Sequence, residues 1–192
     1  MQNIGRIKLV QIQPSSIKVG KPEQYDPTRL LVVDELLLSQ TGVVGVTNDG
    51  QQIIDVHNTN HPHTKSRGDN GFSLGFVSHY NSMRSRFGEH IIDGYAGENI
   101  IVETNTIYSL ADLQNCLAIQ QVKTGRFISL TTVKVVEPCI PFSNFATQRS
   151  LAPYEVQETL HFLRYGRRGF LAELTDKVQI ASIRTGDVLF RM

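Results

Sequence analysis

The chain has 192 residues and a mass of 21.5 kDa, a size at which one domain over 1–192 holds its core with no disulfide or metal staple. Nineteen Lys and Arg face 18 Asp and Glu, a net charge of +1 that argues against a general nucleic-acid binder. With 40% hydrophobic and 19% charged residues the chain is globular rather than disordered, and no apolar run nears the length of a membrane span. In chain order, residues Ile4–Ile12 alternate well enough for a strand, with Ile7 and Leu9 on one face. Pro14 and the segment Gly20–Pro27 interrupt it. Leu30–Leu38 reads as a strand pair or an irregular strand, and Asn48-Asp49-Gly50 between Val43–Val46 and Ile53–Val56 as a hairpin. His57–Gly71 is polar and aperiodic, hence loop. Phe76, Tyr80, Met83 and Phe87 then form one apolar helical stripe capped by Gly88, with His79, Ser82, Arg84 and Arg86 on the other face.

Ser109 and Asp112 form a capping pair for a short helix. Leu117–Val122, Phe127–Leu130 and Val133–Val136 read as three strands, with Gly125 in a turn. A further helix runs from about Pro153 to Leu163 and ends by Gly166. Strands Phe170–Leu174 and Val188–Arg191 close the chain. Short strands without regular helix alternation disfavour a doubly wound sheet. The fold class expected is mainly β, a closed or nearly closed antiparallel β-barrel with two or three inserted helices.

Two cysteines without a CxxC pair exclude a disulfide-rich scaffold and a cysteine-based zinc finger. The N-terminus lacks a secretory layout, so a reducing, cytoplasmic setting with both cysteines as thiols is expected. Cys116 reads as a small packing thiol. Cys139 lies after a strand and between Pro138 and Pro141, which fix the loop. A thiolate ligand or nucleophile needs such a held, partly open place, although an inert cysteine also fits there. Asp55, His57, His61 and His63 offer either a zinc site, imidazoles that line a pocket, or polar bracing. Arg67 with Arg84 and Arg86 offers anion capture near a Gly-rich segment. Gly97, Glu98 and Asn99 sit in a tight turn, either as loop closure or with Glu98 or Asn99 facing a ligand. Arg164, Arg167 and Arg168 form the densest basic cluster, a solvated patch or an anion site. No nucleophile elbow and no paired-carboxylate signal is present.

Taken in order, Asp93-Gly-Tyr-Ala-Gly-Glu-Asn-Ile100, Val136-Glu-Pro-Cys139, Arg167-Arg-Gly-Phe170 and Ile183-Arg-Thr-Gly-Asp-Val188 resemble the MOSC domain, the module named after the C-terminal part of molybdenum-cofactor sulfurases. Asp55-Val-His57, His61-Pro62 and Gly71–Tyr80 look like one branch of its small stand-alone bacterial members, and the likeness runs from about residue 30 to the end. The resemblance implies a β-barrel and makes Cys139 the match of the family's functional cysteine. In sulfurases that thiol is thought to carry a persulfide. In amidoxime-reducing relatives it ligates the molybdenum of a pterin cofactor, and N-hydroxylated compounds are reduced. Soft thiolate chemistry serves both. Gly97, Glu98 and Asn99 match the family's Gly-Glu-Asn motif near the same pocket, His57 and His61 join the cofactor-binding set, and Arg67 or Arg168 would suit the pterin phosphate. The chain lacks the aminotransferase-like domain of full-length sulfurases, so no pyridoxal phosphate is expected. It lacks the β-rich N-terminal domain of amidoxime reducers and any ferredoxin segment, so the partners implied are a separate electron donor or a cysteine desulfurase, with a small-molecule substrate. A non-catalytic module binding an anionic ligand or partner through the three arginines is the remaining reading.

Overall fold

Fourteen strands and four α-helices run through the described residues of the computed structural model, which are 1–66, 71–114, 117–176 and 180–192, with the side chains at 132 and 133 set aside. The first half holds β1 (Gln2–Ile12), β2 (Lys18–Val19), β3 (Gln24–Tyr25), β4 (Leu31–Val32), β5 (Glu35–Ser39), β6 (Gly42–Val46), β7 (Gln52–Ile54), β8 (Phe72–Phe76) and α1 (Val77–Phe87). The second half holds β9 (Ile100–Glu103), α2 (Leu110–Leu113), β10 (Leu117–Gln120), β11 (Phe127–Val135), α3 (Ile140–Thr147), α4 (Pro153–Leu163), β12 (Phe170–Leu174), β13 (Ala181–Arg184) and β14 (Val188–Arg191). The protein is mainly β, as expected.

Seven strands close into a ring in the order β14, β10, β11, β12, β8, β9 and β1, with β1 pairing back to β14. The sheet is mixed rather than antiparallel throughout, because β8 and β9 pair in parallel. A crossover through α1 joins them, as parallel neighbours require. A second sheet, in the order β13, β5, β6 and β7, contains the hairpin at Asn48–Gly50, where Gly50 takes a φ of 82°.

Other departures have local causes. Ile7 and Leu9 do not share a face: a register shift between them in the pairing with β9 reverses the parity. Ile7 packs inside the ring with Ile4, Val10 and Ile12, and Leu9 packs outside. Phe127–Leu130 and Val133–Val136 merge into β11, whose register with β12 slips between Thr132 and Lys134. Two or three helices become four, because α3 grows from the Pro-flanked segment after Cys139. His79 is buried rather than on a solvent face, held by Nδ1 to the Gly166 carbonyl at 2.8 Å. The 310 turn Pro27–Arg29 and the hairpin β2–β3 fall where a simple break was expected.

Two apolar clusters result. One fills the ring. The other lies between the ring wall and the helices, and gathers Tyr25, Tyr80, Met83, Ile101, Phe142 and Leu163. Strand β9 serves both by alternation: Ile100 and Val102 face the first, and Ile101 the second.

Candidate functional site

Cys139 occupies the position before α3, in extended backbone with φ −134° and ψ 154°. Its carbonyl accepts from the Ser143 N–H at 3.0 Å and the Ser143 hydroxyl at 3.1 Å, which closes the first helical turn. Pro141 is tolerated there because a first-turn residue needs no N–H partner. The thiol is free and half-buried.

Arg168 reaches that sulfur from the turn between α4 and β12. Gly166 and Gly169, with φ of 93° and 91°, shape this turn. The Arg168 Nη1 donates to Cys139 Sγ at 3.4 Å, and Nη2 donates to the Ala96 carbonyl at 2.5 Å. Its guanidinium carbon stands 4.1 Å from the centroid of the Phe142 ring and 5.9 Å from that of Tyr25. With 5% of its surface exposed, Arg168 is a buried cation whose positive charge is presented to the sulfur. Burial alone would raise the Cys139 thiol. The Arg168 guanidinium, the Phe142 N–H and Lys18 outweigh it and hold the thiol below its ordinary value.

Ala96 belongs to the glycine-punctuated turn, closed by the Gly97 N–H to the Gly94 carbonyl at 2.9 Å. Tyr80 of α1 reads the same turn. Its hydroxyl accepts from the Ala96 N–H at 2.9 Å and donates to Glu98 Oε2 at 2.6 Å. Glu98 lies in a space that two glycines clear: a Cβ on Gly75 would stand 2.8 Å from its Oε1, and one on Gly169 would stand 2.9 Å from its Cγ. Burial pushes the Glu98 carboxyl up to about 7, against the hydrogen bond from Tyr80 and the charge of Arg168.

The remaining sequence-selected residues divide. Asn99 is absorbed by the fold. Its Oδ1 accepts from the Ser73 N–H at 3.0 Å and hydroxyl at 3.1 Å, and its Nδ2 donates to the Gln11 carbonyl and to Asp55 Oδ2, both at 3.2 Å. Gly97 gives its carbonyl to Gln13 Nε2 at 2.9 Å. Asp55 accepts from the Gln13 N–H at 2.8 Å and lies 2.9 Å from His57 Nδ1, so the histidine loop rests on the glycine turn. His57 keeps 52% of its side chain exposed. His61 is tied to the Pro14 carbonyl at 3.1 Å and accepts the His63 N–H at 3.1 Å. Among the described residues no three His, Cys, Asp or Glu side chains converge on a metal position, so the histidine loop forms no zinc cage there. Arg84 pairs with Asp93 at 2.8 Å, and Arg86 with Glu158 at 2.5 Å. Arg164, Arg167 and Arg168 form no common patch: the first is exposed, the second donates to the Phe162 carbonyl at 2.6 Å, and the third is buried at the thiol. Arg67 and Cys116 lie outside the described residues.

Sequence reasoning missed Lys18, Tyr25, Tyr80 and Phe142 as parts of this site. Tyr80 had a signal, since a tyrosine in a buried helical stripe needs a partner for its hydroxyl. A separate groove of about 380 Å3, lined by Lys123, Arg126, Phe127, Ile180 and Arg184 among others, shares no residue with the site.

No protein-family model matches the sequence, and no curated protein matches it. Among solved structures the chain is similar in fold to the YuaD protein from Bacillus subtilis, at 14% identity over 96% of this chain and 93% of that one, with a TM-score of 0.57. It is also similar to YiiM from Escherichia coli, at 12% identity over 97% of this chain and 69% of that one, with a TM-score of 0.53.

Proposed function

We propose that the chain is a MOSC-type protein that works through the Cys139 thiolate, which ligates the molybdenum of a pterin cofactor in a reductase of N-hydroxylated or N-oxide compounds. The fold likeness to YuaD and YiiM, both MOSC-domain proteins, supports the family reading and the reading of the seven-strand ring as its barrel. The observation that carries the chemistry is the half-buried sulfur 3.4 Å from the buried Arg168 guanidinium. A soft, charge-stabilised thiolate is a fitting ligand for such a metal. The donor set fits as well. One thiolate with no cluster of further protein donors among the described residues suits a metal that brings its other ligands, as molybdenum on a pterin does. When bound, that group would supply two-electron reduction of an N–O bond. Arg168 holds the thiolate, Tyr80 and Glu98 hold the turn, and the half-exposed imidazole of His57, with Arg67 by sequence, is read as a hydrogen-bonding partner for a phosphate. No helix among the described residues is long and apolar enough to cross a membrane. The substrate is read as a small molecule met at the half-buried thiol, with electrons from a separate donor and the cytoplasmic setting expected from the sequence.

The test is elemental analysis of the protein and of Cys139→Ser, both purified from a host that makes the cofactor. Stoichiometric molybdenum in the first and none in the second is expected. Metal-free wild type overturns the reading.

A second reading is favoured by the lowered thiol. As a sulfur carrier, the Cys139 thiolate attacks the terminal sulfur of a desulfurase persulfide, the donor's thiolate leaves, and a Cys139 persulfide forms with no net redox change. Mass spectrometry after incubation with cysteine and a desulfurase would show a gain of one sulfur atom, absent in Cys139→Ser. A mass that stays unchanged removes this alternative.

A further inference from the structure

We propose that Tyr80 and Glu98 are the positioning residues of the thiol site, fixing the Arg168 guanidinium against Cys139 through the main chain of Ala96. The inference rests on the reading above that Cys139 is the working group. A continuous series of hydrogen bonds carries it. Tyr80 donates to Glu98 Oε2 at 2.6 Å and accepts from the Ala96 N–H at 2.9 Å. The other end of that residue, the Ala96 carbonyl, takes Arg168 Nη2 at 2.5 Å, and Arg168 Nη1 reaches the sulfur at 3.4 Å. Every side chain between the carboxyl and the thiol is buried: Glu98 at 1%, Tyr80 at 0% and Arg168 at 5% exposure. Water therefore does not compete with the bonds from Glu98 to the Ala96 carbonyl. Only the last contact, at the half-buried sulfur, is open to it, and displacement of one member is passed to the next.

The carboxyl is also a threat to the arrangement. An ionised Glu98 would draw Arg168 away from the sulfur. The fold prevents this by geometry: Gly75 and Gly169 leave the space in which the carboxyl lies, and its Oε2 is directed to Tyr80 and makes no ion pair with Arg168. With burial pushing its pKa up to about 7, the carboxyl is shared between acid and carboxylate at neutral pH, and it is the geometry, with Oε2 taken by Tyr80, that keeps it from pairing with Arg168. Arg168 then has two partners for its two terminal nitrogens, a carbonyl that anchors it and a sulfur that receives its charge.

The experiment follows the thiol, with no metal involved. In a Cys116→Ser background, the rate of Cys139 alkylation by iodoacetamide at neutral pH and the ultraviolet absorbance of the thiolate are measured for Tyr80→Phe, Glu98→Leu and Glu98→Gln. Circular dichroism checks the fold of each. Tyr80→Phe and Glu98→Leu are expected to lose about tenfold in rate together with the thiolate signal. Glu98→Gln, which keeps an oxygen for the Tyr80 hydroxyl and carries no charge, is expected to react as wild type or faster. Folded Tyr80→Phe that reacts at the wild-type rate overturns the proposal, and so does Glu98→Gln as slow as Glu98→Leu. Should Glu98→Leu not fold, Glu98→Asp replaces it, since the shorter side chain withdraws its oxygen from Tyr80, and a wild-type rate there has the same adverse meaning. Metal-free wild type with the expected series sinks the molybdenum reading alone, and bound molybdenum with a flat series sinks the positioning roles alone.

Discussion

Arg168 touches the Cys139 sulfur at 3.4 Å although 29 positions separate them in sequence, and the same guanidinium is anchored to the Ala96 carbonyl at 2.5 Å. Both partners lose in Arg168→Gln. The thiol should return toward its ordinary value and alkylate about tenfold more slowly at neutral pH. The loss of a buried charged hydrogen bond should cost about 1–3 kcal/mol in urea unfolding. Arg168→Lys should not restore the rate, because one ammonium cannot serve two acceptors in the fixed fork of a guanidinium. A wild-type alkylation rate in either variant would show that the sulfur does not depend on this cation.

Two buried groups should give stability a pH dependence of opposite signs. Burial pushes His79 down to about 4 from 6.5, aided by Arg167 and opposed by its bond to the Gly166 carbonyl. Through that window the unfolded chain binds a proton that the folded chain refuses, so the His79 contribution falls as pH falls. Burial pushes Glu98 up to about 7 from 4.5. There the folded chain keeps a proton that the unfolded chain has lost, so the Glu98 contribution falls as pH rises. The two slopes oppose each other between 4.5 and 6.5. Glu98→Gln removes one of them. Its urea midpoint should climb with pH across this range more steeply than that of wild type, and parallel curves for the two proteins would count against a protonated Glu98.

Asn99 should behave as part of the frame. Its amide joins β1, β8 and Asp55 through four hydrogen bonds, and none of its polar atoms is left over. Asn99→Ala leaves several buried groups unpaired and should destabilise by about 1–3 kcal/mol. The alkylation rate of Cys139 should stay that of wild type in the folded variant. A slowed thiol with unchanged stability would instead place Asn99 in the chemistry.

The legible parts of this molecule were those set by local sequence. The Asn48–Gly50 hairpin, the capping pair Ser109 and Asp112, and the helix from Pro153 each have their cause within a few residues. Cys139 stood out for the same reason, by its flanking prolines. What could not be read depends on distant partners. The parallel pairing of β8 with β9 and the reversed parity at Leu9 are properties of the closed ring, not of either segment. Two prolines near Cys139 pointed to a turn, yet Phe142 and Ala146 bury one face of α3 in the second cluster and make a helix worthwhile. Arg168 read as a member of a solvated patch or of an anion site, because its neighbours 164 and 167 are also arginines, and nothing local tied it to the thiol. Only the folded chain brings a sulfur and a carbonyl to it.

Gly75 offers the sharpest steric check on the carboxyl's position. A methyl group there would press on Glu98 Oε1 at 2.8 Å, within a strand whose backbone is fixed by pairing on both sides. Gly75→Ala should therefore cost about 1–3 kcal/mol, the range for overpacking a tight interior, and should also slow Cys139 alkylation, because the displaced carboxyl takes Tyr80 with it. Gly125→Ala provides the contrast. It has a φ of 71°, but nothing lies within 4 Å of an added Cβ, so its penalty is the backbone's alone, about 1–2 kcal/mol, with no effect on the thiol. Equal alkylation rates in the two alanine variants would separate the Gly75 cleft from the sulfur and leave Glu98 a packing residue.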